Sequence, residues 1–148
     1  MLQKLQKRKE NGFTIIEVLI VLAIAGLIML IVFLAVPALQ RNSRNTQRKN
    51  DVSAILGAVS EWSNNNTGSL PASGDKANVL TYAKLGFYQA ADISIGTTGG
   101  TDVDNVYVAT GNKCNGNALT TTGATTRNIA ALYYVETGGG TTAQCQES

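Results

Sequence analysis

Histidine is absent from this sequence and cysteine occurs only twice. The first absence removes Ser/His/Asp and Cys/His nucleophile arrangements, together with every zinc site that needs an imidazole. Two cysteines cannot close a structural zinc site unaided. The acids offer no substitute, because Glu61, Asp92, Asp102, Asp104 and Glu136 are scattered without a visible partner arrangement and read as solvated surface groups. Asp102-Val103-Asp104-Asn105 has oxygens suited to calcium but lacks the spacing and glycine of a calcium loop. No catalytic residue, metal site or cofactor is therefore expected, and no internal repeat is visible.

Strong net charge is also missing. The chain carries +2, of which Met1 to Gly12 contributes four bases and one acid, a net +3, so the side chains beyond Gly12 sum to −1. After Asn50 there are eight acids and four bases, which disfavours a broad nucleic-acid surface and leaves any nucleic-acid contact to a local patch.

What the chain does have is a start unlike the rest. A basic head with Lys4, Lys7, Arg8 and Lys9 leads to Gly12, Phe13, Thr14 and Glu17, and then to an uninterrupted apolar run of 19 residues, Val18 to Val36. As a helix that run is roughly 28 Å long, enough to span a bilayer. It exceeds a typical signal-peptide core, although Val36-Pro37-Ala38 loosely fits a small-residue cleavage site. Basic residues flank it on both sides, Arg41, Arg44, Arg48 and Lys49 lying beyond, and the initiator amine tips the head towards the inside. A carboxylate at the mouth of a membrane segment is costly, about 2.5 to 3.5 kcal/mol at the bilayer centre and less near its edge. Glu17 therefore needs a reason.

Lys9-Glu10-Asn11-Gly12-Phe13-Thr14-Ile15-Ile16-Glu17 resembles the class III leader of type IV pilins and of the type II secretion pseudopilins. The resemblance implies cleavage by prepilin peptidase between Gly12 and Phe13, N-methylation of Phe13, and Glu17 as the assembly carboxylate. It also implies a helix that holds the subunit in the membrane and later packs inside a filament. The residues support this independently. Gly12 lets a protease approach closely, and cleavage places a new amine four residues before Glu17, where an axially shifted neighbour can pair with the carboxylate. Neutralising an ion in a low-dielectric bundle sets register. The alternative is a Glu17 that only snorkels to the membrane surface.

Gly26 and Pro37 weaken a helix between them, and in the family such residues bound a stretch that melts on assembly; the alternative is packing at Gly26 and a membrane exit at Pro37. The cluster Arg41 to Lys49 contains no acid and suits anionic lipid, acidic neighbours or a solvated helix face. Val52, Ile55, Leu56, Val59 and Trp62 then recur on one stripe, which predicts docking onto a soluble head. Asn64-Asn65-Asn66-Thr67-Gly68 ends the helix.

The expected organisation is a leader over 1–12, one long helix over 13–64 that spans the membrane to about 37 and is amphipathic beyond, and a head over 65–148. The fold class is α+β, type IV pilin-like. In the head, a short helix is expected within Ala77 to Phe87. Strands are expected at Asp92–Ile95, Asn105–Thr110, Ile129–Thr137 and Thr141–Cys145, paired as consecutive hairpins in an antiparallel sheet, with a turn at Gly138-Gly139-Gly140. Thr97–Thr101 and Thr120–Thr126 read as loops. Cys114 and Cys145 can staple this small domain outside the cytoplasm, as in the disulfide-bounded C-terminal region of many type IV pilins; two free thiols are the alternative. Asn65-Asn66-Thr67 fits a glycosylation sequon, a match frequent by chance.

These expectations converge on a structural filament subunit serving adhesion, motility or DNA uptake. Its implied partners are further copies of itself, prepilin peptidase, and the pilus assembly platform and motor of the membrane. A pseudopilin, or a membrane-anchored binding domain that never polymerises, would share part of this pattern.

Overall fold

The computed structural model describes residues 12–96 and 99–148, so the expected leader up to Asn11 and the loop position Thr97 lie outside the described residues. The chain divides into two compact units at Pro37. Helix α1, Ile15–Asn65, contributes to both and contains Pro37. In the first unit the apolar run is exposed throughout, with no residue of its most apolar window buried.

The second unit, residues 38–148, is two-layered. Its sheet has the order β1-β2-β5-β6, with β1 Ile93–Ile95, β2 Val106–Thr110, β5 Ile129–Thr137 and β6 Gly140–Glu147. Val52, Ile55, Leu56 and Val59 from α1 are at most 3% exposed and share one core with Ile93, Ile95, Val106, Val108, Ala131 and Tyr133. Each apolar face thus covers the other, as a layered domain requires. Trp62 is only partly buried, at the edge of this core.

Four details differ from the sequence expectation. Strand β1 runs parallel to β2, in register Ile93↔Val106 to Ile95↔Val108, whereas β2–β5 and β5–β6 are antiparallel. The helix expected within 77–87 is the five-residue α2, Lys76–Leu80, because the backbone of residues 86–88 is recruited by α1. A small second sheet pairs β3, Lys113–Asn115, with β4, Ala118–Thr120. Finally, β6 continues to Glu147, ladder-paired to Ala130. The hairpin turn is tight: Thr137 pairs with Gly140, leaving Gly138-Gly139 as a two-residue loop of the kind glycine favours.

Helix α1 closes with the Gly68 N–H donating to the Ser63 carbonyl at 2.8 Å and with Thr67 at φ 57°. That left-handed position usually falls to glycine or asparagine.

Cys114 and Cys145 form a disulfide that ties β3 to β6. The Cys114 N–H also donates to Glu147 Oε1 at 2.5 Å, so the bridge is reinforced beside the sheet edge. With a sequence separation of 31 between the cysteines, chain entropy assigns the bridge about 3 to 4 kcal/mol. Cys145→Ser is expected to lower head stability by about that amount in denaturant melts. An unchanged midpoint would show that β3–β4 is held by its hydrogen bonds alone.

Candidate functional site

Gly12 and Phe13 precede the helix, and Phe13 is 89% exposed. Among the described residues nothing lies within 4 Å of where a Gly12 Cβ would sit, so their packing does not demand glycine there. The Gly12–Phe13 bond therefore lies in non-helical chain, which a peptidase cleft can accept.

The helix start is built by Thr14 and Glu17. Both the backbone N–H and the hydroxyl of Thr14 donate to Glu17 Oε2, at 2.8 and 2.6 Å, and the Glu17 N–H points back to Thr14 Oγ1 at 3.4 Å. This is a capping box, in which two otherwise orphaned donors of the first turn are satisfied reciprocally. The Thr-x-x-Glu spacing just before an apolar run is the sequence signal that marks it. In the subunit, Glu17 holds its own helix terminus.

Gly26 and Pro37 both lie within α1, and no atom comes within 4 Å of a Cβ built at Gly26. Among the described residues, no packing contact requires glycine there.

In the second unit, α1 grips the head through charged residues of the basic cluster, which meets an acidic neighbour within the chain. Arg48 is 4% exposed; its Nη1 donates to the Tyr134 carbonyl at 2.9 Å, and its guanidinium stacks 4.6 Å from the Phe87 ring centre. Arg44 grips Glu136 with two nitrogens, at 2.8 and 2.5 Å. Glu136 is thus a partly buried partner of the helix, not the free surface acid its isolation in the sequence suggests. The hydrogen bond from Arg44 holds its carboxyl below the usual carboxylate range, and the same bond raises the Arg44 guanidinium.

The reason for this grip is the sheet. β2 stops pairing at Tyr107↔Leu132, so the β2-facing edge of β5 beyond Leu132 lacks a strand partner. Asn45 fills the gap, accepting from the Glu136 N–H at 2.8 Å and donating to the Glu136 carbonyl at 2.7 Å, and Arg48 caps Tyr134. Side chains of α1 so replace a missing strand and satisfy an otherwise open edge.

Asp51, one turn from Arg48 and 5% exposed, accepts the backbone N–H groups of Gly86, Phe87 and Tyr88 at 2.7 to 3.1 Å. Burial beside this cluster pushes the Tyr88 phenol up to about 12. Asp51→Ala would leave three donors without a partner, and the expected loss is about 3 to 5 kcal/mol in detergent-solubilised unfolding, with Asp51→Asn retaining part of it. Equal stability of Asp51→Ala and the parent would show that segment 86–88 finds other acceptors. Arg48 and Asp51 extend the stripe of Val52 and Ile55 backwards by one turn, the only sequence signal that marked them as inward-facing.

Asp102, considered for calcium, spends its oxygens on its own turn, accepting from the Asp104 N–H and from the Asn105 amide.

Residues 7–33 match the family model of the prokaryotic N-terminal methylation motif. Comparison with curated proteins finds no match, and comparison with solved structures finds none either. The motif points to a structural subunit, not an enzyme, and with the apolar helix it fits membrane anchoring followed by assembly. A methylation motif over the start of a long apolar helix supports a likeness to the type IV pilins and pseudopilins, and the small, disulfide-tied and mainly antiparallel sheet agrees with a pilin-like α+β fold.

Proposed function

We propose that the chain is the structural subunit of a bacterial type IV pilus filament. The observation that carries this is the fully exposed 19-residue apolar run placed directly behind the Gly12–Phe13 junction and Glu17. An exposed apolar surface of this extent must be covered, first by lipid and then by neighbouring helices. On this reading prepilin peptidase cuts after Gly12 and Phe13 is N-methylated. The amine of one subunit pairs with Glu17 of another, and the assembly platform and motor draw the helix out of the membrane into an extracellular filament. Gly26 and Pro37 bound the segment that gives up helical order on assembly. Adhesion, motility and DNA uptake are the roles open to such a filament, and the net acidity beyond Asn50 favours contacts other than a broad nucleic-acid face.

Intact mass of the protein from its native host tests the processing. Loss of residues 1–12 plus one methyl group is the expected result; retention of the full leader, or cleavage near Ala38, would defeat it. Long surface filaments composed of this chain are expected by microscopy with mass-spectrometric identification. Mature subunits confined to a short periplasmic structure would assign the chain to a pseudopilus.

A further inference from the structure

The head carries a second polar feature, and its groups have no partner of their own. Lys49 lies one residue and about 100° around α1 from Arg48. It opens onto a groove of about 440 Å³ whose lining includes Asn42, Lys49, Tyr133 and Gln144, together with Asn45, whose amide is already held by Glu136. Tyr133 is only 4% exposed and lines this groove from the sheet side. Among the described residues the Asn42 and Gln144 amides, the Lys49 ammonium and the Tyr133 hydroxyl have no side-chain hydrogen-bond partner. All four groups donate, and one is cationic, which is the chemistry of a carboxylate receptor. A sugar would seek an exposed aromatic face, and the buried ring of Tyr133 offers none.

The acids beyond Asn50 show which carboxylate is free. Asp51, Asp75, Asp92, Asp102 and Glu147 accept backbone N–H groups. Asp104 and Glu136 face arginines. Glu61 is exposed and has no such partner among the described residues. It lies twelve residues after Lys49 on the same helix, roughly 18 Å along the axis, too far for the two side chains to meet within one chain.

We propose that this groove is a contact between subunits, in which Lys49 and Tyr133 receive the Glu61 carboxylate of a second copy. The groove and Glu61 are different surfaces, so the contact is heterologous and can repeat along a filament without closing. The inference rests on the filament reading above.

Zero-length carbodiimide cross-linking of purified filaments, followed by peptide mass spectrometry, tests it with the native residues. A Lys49–Glu61 amide is expected, and the distance within one chain makes that product intermolecular. Lys49→Glu and Glu61→Lys are each expected to lower filament yield about tenfold, the effect of about 1.4 kcal/mol per contact. The double variant should restore it, because every contact again holds one charge of each sign. Filaments that give no Lys49–Glu61 product, with a double variant no better than either single one, would overturn the groove contact alone. If the groove instead held a saccharide, glycan-array binding would be lost in Tyr133→Phe filaments while the cross-link stayed absent, which also overturns it. Failure of the parent chain to form filaments would overturn the filament reading as well, and the parent control shows this before any variant is compared.

Discussion

Gly12→Val is expected to accumulate in the membrane with residues 1–12 still attached. The substitution is compatible with the fold as described: Gly12 lies outside α1, and a Cβ there meets no atom of the described residues within 4 Å. Any loss of processing therefore belongs to the encounter with the peptidase. A branched side chain beside the scissile bond displaces it in a cleft shaped for glycine, and misplacement of a reacting bond by about 1 Å costs on the order of 100-fold in rate. Uncleaved chains keep a charged leader, net +3, on the helix end that the proposed function buries in a filament, and they lack the free Phe13 amine. Filament yield should fall with the cleaved fraction. N-terminal sequencing that still begins at Phe13 would sink the idea.

The parts legible in the sequence are those set by periodicity and local chemistry. α1 was expected over 13–64 and runs Ile15–Asn65, because a 19-residue apolar run followed by a stripe at spacing three and four has few other readings. β5 spans the expected residues, since Ile129 to Thr137 is long and rich in β-formers and ends at a glycine turn. Short elements escaped. β3 and β4 have three residues each, too few to show alternation, and they are held partly by the Cys114–Cys145 bridge. The parallel pairing of β1 cannot be read from its own residues, because strand direction is set by the path the chain takes before Val106. The largest error concerned charge. Arg44 and Glu136 are 92 residues apart, and nothing near either announces the other. Only the fold, by stopping β2 short of the β5 edge, creates the vacancy that Asn45 and Arg48 fill. A basic run without acids looks solvated when its partners come from a distant strand.

Glu17→Gln is the sharper test of assembly, because the observed cap and the proposed pairing are separable. The Glu17 carboxylate oxygen accepts both Thr14 donors at the helix start, and on the proposed function its charge meets a neighbour's amine. Glutamine keeps a carbonyl oxygen at the same reach and serves in a capping box as glutamate does, so the first turn should survive. Only the charge is lost. Glu17→Gln subunits are therefore expected to be cleaved and inserted normally while filament number and length fall sharply. An ion pair worth about 1.4 kcal/mol per subunit changes each addition equilibrium about tenfold, and a polymer meets that loss at every step. Thr14→Ala supplies the converse, removing the hydroxyl of the cap while leaving the charge, and should weaken filaments far less, because an exposed cap contributes about 1 kcal/mol to a helix that neighbours also support. Glu17→Asp retains the charge with a shorter reach and should fall between. Filament yield, measured by shearing and microscopy beside confirmed cleavage, decides the order. Normal filaments in Glu17→Gln cells together with sparse ones in Thr14→Ala cells would show that Glu17 acts through the helix terminus and would remove the pairing from the assembly mechanism.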